Sequence, residues 1–292
     1  MRLGLGTAQF GLDYGVSNRF GRTSTQEVRN ILALAAERDI LLIDTAPGYG
    51  SSESVLGECL PRNHGFQICT KIKPLRAQVI TTEHLETVRS MFEESLARLR
   101  QDHVHAVLIH HADDLLAEGG DALMQVLEGF RERGLVEHIG VSIYEAREVD
   151  ELAARFRMGV LQVPVSVLDQ RLIQSGHLAR WAGAGMEIHA RSVFLQGFLL
   201  MAPEDLPPVL RRHAPLLERF RRFASDNCCL PAHIALRFVA LQEHIQSAIV
   251  GVNTAAQLEQ LLGYVDCEVD CSDLRQFAQH DVQLLNPFLW RQ

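Results

Sequence analysis

Lysine is almost missing from this chain of 292 residues: of 28 basic residues, only Lys71 and Lys73 are lysines, and the rest are arginines. Arginine serves wherever a generic positive charge is needed. A lysine kept against that bias marks a place for a compact ammonium whose proton affinity can be tuned. Other absences narrow the class further. No apolar run is long enough to cross a bilayer. The opening MRLGLGTAQFG lacks the apolar stretch of a secretory signal, so a cytoplasmic location is expected. A net charge of −8 with no basic face excludes a nucleic-acid partner from the expectations. Six cysteines (Cys59, Cys69, Cys228, Cys229, Cys267 and Cys271) show no CxxC spacing. They read as free thiols of a reducing compartment, with Cys69 packed as a small hydrophobe and no metal site expected. No GxGxxG follows the first apolar run, which weighs against a doubly wound sheet.

What is present is an alternation of short apolar runs with amphipathic stretches. Apolar runs fall at 3–7, 40–43, 66–70, 104–109, 136–141, 160–163, 187–190 and 247–250. Between them, helical periodicity is clearest over 25–38, where Val28, Ile31, Leu32, Leu34 and Ala35 form one stripe. It recurs over 52–60, 82–99, 121–133, 145–155, 176–182, 214–225, 232–241 and 254–262. The stretch SSES, 51–54, can cap the second helix, and Thr82 with Leu85 and Glu86 suggests a capping box for the third. Eight strand–helix units in about 260 residues match a single closed (β/α)8 TIM barrel spanning 1–292, with a tail from about residue 264.

In such a barrel, chemistry collects at the C-terminal ends of the strands. Asp44 ends the second run, in LLID, and Tyr49 follows in a glycine- and proline-containing loop. Lys71 ends the third run and His110 the fourth, so four polar groups from distant parts of the chain converge on one mouth. A carboxylate beside an ammonium keeps it charged. An ammonium beside a phenol favours the phenolate and lowers a pKa that is otherwise about 10. This is a proton-transfer set. Alternation along the strand points His111 away from the site.

These residues carry a resemblance. DTAPGYGSSESVLG (44–57), the strand-end Lys71 and His110, HIGVS (138–142), RSVFLQG (191–197) and IVGVNTAAQLEQ (249–260) together resemble the aldo-keto reductase family over roughly 3–262. The resemblance implies reduction of an aldehyde, ketone or sugar-like carbonyl by NADP(H) or NAD(H). Tyr49 would be the general acid, Lys71 and Asp44 would support it, and His110 would fix the carbonyl oxygen. It also implies a nicotinamide cofactor lying across the mouth. Asp44, Ser142 and Gln162 would hold the nicotinamide end. Arg191 stands where some relatives have a stacking aromatic, and Ser192 and Leu195 to Gly197 would run beneath the pyrophosphate. Gly6 and Thr7 at the end of strand one complete the set, with Gly251, Asn253, Thr254 and Gln257 leading into the last helix. Backbone N–H groups at that helix N-terminus suit a phosphate.

The sequence departs from the family pattern in places. Ile143 replaces an asparagine, and Gln257 stands where an arginine would pair a 2′-phosphate. Residues 251–262 contain no basic residue, so either nicotinamide dinucleotide stays open. Strand one opens without the N-terminal β-hairpin of many members. The loop QFGLDYGVSNRFG (9–21) offers Asp13, Asn18 and Arg19 to a hydroxylated substrate if it folds over the mouth. Two rival readings share the same residues: a cofactor-sensing binding subunit like channel β subunits, and a barrel isomerase working without net redox. Oligomeric state and physiological substrate are not legible.

Overall fold

The computed structural model describes residues 2–61, 63–265 and 272–290. Eight parallel strands close into a barrel in sequence order: β1 (Arg2–Gly6), β2 (Leu42–Asp44), β3 (Gln67–Ile72), β4 (Val104–Ile109), β5 (Val136–Ser142), β6 (Val160–Pro164), β7 (Glu187–Arg191) and β8 (Ser247–Gly251). The closing pair registers Arg2 with Ser247 and Gly6 with Gly251. Each strand feeds a helix that packs back on the outside, the arrangement a right-handed parallel crossover requires. Helices Thr82–Leu99, Gly120–Glu132 and Ala214–Asp226 lie within a residue or so of their expected bounds.

The apolar pattern separates into two cores. Leu42, Cys69, Ala106, Leu108, Val160 and Ile249 fill the barrel interior. A larger layer between strands and helices takes the other strand faces and the helix stripes, including Val28, Ile31, Leu32 and Ala35. Strands buried on both faces explain why the runs read as continuous apolar segments rather than alternating ones. Cys69 is fully buried in the inner core, as expected. Cys59, Cys228 and Cys229 form no disulfide among the described residues, and Cys267 and Cys271 lie outside them.

Two capping expectations are corrected. Helix Thr82–Leu99 is capped one residue earlier, by Thr81, whose hydroxyl accepts from the His84 backbone N–H while His84 Nδ1 accepts from the Thr81 N–H. Helix Ser52–Cys59 has no side-chain cap. The Ser52 hydroxyl instead lies 2.8 Å from Thr7 Oγ1 and 2.9 Å from its carbonyl, tying the loop after β1 to the loop after β2. Short elements that the periodicity did not show include the turn Ala8–Gly11 and the 3-10 segment Leu195–Leu200.

Candidate active site at the barrel mouth

A cavity of about 1200 Å3 opens at the C-terminal ends of the strands. Its floor is a buried polar cluster. Lys71 Nζ sits 2.5 Å from Asp44 Oδ1, 3.0 Å from the Thr45 carbonyl and 3.3 Å from the Tyr49 hydroxyl. Lys71 is buried and spends all three donors on these partners, which is the satisfaction a desolvated ammonium requires. Burial alone would push its proton off. The Asp44 carboxylate, helped by Tyr49, outweighs burial and holds the ammonium above its ordinary range.

Asp44 is fixed from a direction the sequence did not reveal. Gln162 Nε2, on β6, donates to the same Oδ1 at 2.7 Å, and Ser142 Oγ, on β5, lies 3.4 Å from Gln162 Oε1. The cluster thus runs across four strands, from Lys71 through Asp44 and Gln162 to Ser142. Amide and hydroxyl both line the cavity.

Tyr49 is placed by a tight backbone contact. A Cβ on Gly11 would stand 1.9 Å from the Tyr49 carbonyl oxygen and 2.3 Å from the Ser52 N, so no side chain fits there. The phenol pKa corrects the sequence expectation. Lys71 lowers it as anticipated, but burial is the larger effect and the net direction is upward. Tyr49 is therefore a neutral phenol at physiological pH. His110 moves the other way: burial, then the charges of Lys71 and Arg191, bring it down to about 3, leaving a neutral imidazole.

The remaining expected residues divide. Gly6, Thr7, Ser142, Gln162, Arg191, Ser192, Gly197, Gly251, Asn253 and Gln257 border the cavity together with Asp44, Tyr49 and His110. Leu195 does not; it is buried in the outer core, because the 3-10 turn carrying it rotates its side chain inward. Thr254 is likewise off the lining, and its hydroxyl accepts from the Gln257 N–H at 3.1 Å. His111 corrects the alternation argument: β4 stops at Ile109, so His110 and His111 lie on the following turn and both border the cavity. Arg191 lies over the Tyr144 ring, its guanidinium carbon 4.1 Å from the ring centroid, and donates to the Ile143 carbonyl at 2.8 Å.

At the far end, the entrance of helix Ala255–Val265 already has partners. Gln257 Oε1 accepts from the Asn253 N–H at 2.7 Å, and Glu27 Oε1 accepts from the Ala255 N–H at 2.6 Å. A carboxylate therefore occupies the positive end of that helix. The loop after β1 does fold over the mouth. Val16 N–H donates to the Gln196 carbonyl at 3.0 Å, Asn253 Nδ2 donates to the Gly21 carbonyl at 3.0 Å, and Arg19 pairs with Asp205. Its polar side chains hold the loop itself: Asn18 donates to the Tyr14 and Gly21 carbonyls and to Asp13. The rim offers a ligand both apolar and basic side chains: Phe20, Leu200, Leu230 and Phe288 are exposed around the opening, and so are Lys73 and Arg76. The tail reaches this rim too, through Asn286, Pro287 and Phe288.

Fold and site together define a single (β/α)8 barrel with a buried Tyr–Lys–Asp cluster at its mouth. The chain belongs to the aldo/keto reductase family, whose model matches residues 2–282. It is 25% identical to aldo-keto reductase YhdN of Bacillus subtilis over 182 residues, a match covering 60% of this chain and 53%, about half, of that relative. Among solved structures it resembles the holo form of aldo-keto reductase AKR11C1 from Bacillus halodurans (19% identity, TM-score 0.75, 94% of this chain and 90% of that one). It also resembles glycerol dehydrogenase AKR11B4 from Gluconobacter oxydans (20% identity, TM-score 0.71, 94% and 89%).

Proposed function

We propose that the protein reduces a small aldehyde or ketone to an alcohol, using a nicotinamide dinucleotide, with Tyr49 as the proton donor. The observation that carries this reading is the neutral Tyr49 phenol held at 3.3 Å by an ammonium buried against Asp44. A carbonyl oxygen gaining negative charge needs a proton delivered at that atom, and a positioned acid supplies typically 10²–10⁴-fold. A phenol raised by burial keeps its proton at neutral pH. Lys71 limits the cost of the phenolate that forms when the proton leaves. His110, neutral and bordering the same space, can donate one hydrogen bond to the carbonyl oxygen without competing as an acid.

The residues present fit a dinucleotide. The cavity exceeds the usual range for a drug-sized ligand, roughly 300–1,000 Å3. The Ser142 hydroxyl and Gln162 amide offer the donor and acceptor pair that a carboxamide needs, and Arg191 on Tyr144 presents a flat cationic face. Lys73, Arg76, Arg191 and Arg221 line a mouth in an otherwise acidic chain, which favours a phosphate-bearing ligand. When bound, the nicotinamide supplies the hydride. Glu27 at the last helix entrance, and Gln257 turned onto the Asn253 N–H, support a preference for NAD(H). A 2′-phosphate at that helix entrance would meet the Glu27 carboxylate, and residues 251–262 carry no basic side chain to pair with it. The apolar side chains of the rim favour a carbonyl compound with an apolar body over a sugar.

Fluorescence titration of the purified protein with NADH and NADPH, followed by turnover on a panel of aldehydes and ketones, tests this reading. Tighter NADH binding with turnover of apolar carbonyls is expected. Failure of both nucleotides to bind at millimolar concentration would end it.

A further inference from the structure

The opposite end of the barrel holds a second polar cluster with no part in the mouth. It gathers where β4, β5 and β7 begin: His105, Glu137, His138, Glu187 and His189. His105 Nδ1 lies 2.8 Å from Glu137 Oε2. The His105 and His138 rings meet edge to face, 4.8 Å between centroids. His105 is 8% exposed, yet its Nε2 has no hydrogen-bond partner and stands 3.6 Å from Glu187 Oε2. His189, fully buried, uses Nε2 on Glu187 Oε1 at 2.8 Å and leaves Nδ1 without a partner. Space has been kept for the His138 ring: a Cβ on Gly159 would stand 3.0 Å from its Nδ1.

We propose that His105, Glu137 and His138 form a site for a divalent transition-metal ion of the zinc class. One donor atom from each lies within 4.8 Å of the other two. Around a tetrahedral zinc, ligand atoms about 2.0 Å from the ion sit roughly 3.3 Å apart, so small side-chain rotations close the set. Two imidazoles and a carboxylate suit zinc, cobalt, nickel or copper rather than calcium or magnesium. Glu187 fits the outer position: ligating histidines commonly hand their second nitrogen to a carboxylate, and His105 Nε2 faces Glu187 Oε2 at 3.6 Å. Glu137 is exposed, giving the ion an entry from solvent. His105 comes from β4 and the adjacent Glu137 and His138 from β5, so the set is joined only by the fold and no ligand spacing in the sequence displays it. The ion ties β4 to β5 far from the mouth, so its effect falls on stability rather than turnover.

The test is to strip the full chain with a chelator and titrate it with Zn2+ and Co2+. One equivalent should bind per chain, Zn2+ should raise Tm, and bound Co2+ should show the intense visible bands of a low-symmetry site. Glu137→Gln and His138→Asn should each weaken binding at least about tenfold. Should a variant fail to fold, X-ray absorption of the zinc-loaded wild type decides. Nitrogen and oxygen ligation with imidazole scattering supports the site, and sulfur ligation overturns it. Absence of binding at millimolar metal, or unchanged affinity in folded variants, also overturns it.

Discussion

Replacing Lys71 by methionine removes the cation from a place built to hold it. Asp44 then stays buried as a carboxylate, and breaking a buried pair from one side costs about 3–5 kcal/mol. The structure places this case at the lower end, about 3 kcal/mol, because Gln162 Nε2 still donates to Asp44 Oδ1 at 2.7 Å. Asp44→Asn alone should cost a similar amount, since it leaves the ammonium buried. The double variant Asp44→Asn with Lys71→Met has no buried charge and should lose much less than the two single losses together. Urea unfolding at pH 7.5 measures all four proteins. Lys71 is raised in the folded state, so its contribution is fully present below the unfolded lysine value, about 10.4, and is lost only as pH rises through the higher folded value. The comparison at pH 7.5 is therefore free of lysine titration. If the two single losses simply add in the double variant, the ion pair is not what the site depends on, and the reasoning is refuted.

Three further outcomes follow from the same geometry. His110 is held down near 3 against an ordinary 6.5, so it favours the folded state above the higher value and withdraws stability as pH falls from 6.5 toward 3. His110→Asn should flatten that acid limb in urea titrations between pH 6 and 4; an unchanged slope counts against it. Gly11→Ala drives a methyl into the Tyr49 carbonyl and should cost about 1–3 kcal/mol or more, with a fall in kcat. Calorimetry with kinetics would show whether both drop. Gln257→Arg combined with Glu27→Gln should shift preference toward NADPH by about tenfold or more, an added charged hydrogen bond being worth about 1.5–3 kcal/mol, as read from the ratio of dissociation constants.

Much of the fold is legible in the sequence. Periodicity located the eight strands because each is buried on two faces, and a strand end is where a barrel presents Asp44, Lys71 and His110. The contacts that finish the site were hidden because they join residues with no periodic relation. Gln162 reaches Asp44 across 118 positions of sequence. The loop after β1 clasps Gln196 and Asn253, and Phe288 arrives from the tail. His111 was misplaced because alternation was extended one residue past the end of β4. The upward direction of the Tyr49 shift is not legible in the sequence, because neighbouring charge can be read there whereas depth of burial cannot.

The central claim is that Tyr49 delivers the proton while the rest of the cluster binds and orients. Its most direct test is Tyr49→Phe, assayed for nucleotide affinity and for single-turnover reduction of an aldehyde. Nucleotide affinity should be essentially unchanged, and reduction should fall by about 10²–10⁴-fold. A phenylalanine variant that reduces the aldehyde at the wild-type rate would contradict the account.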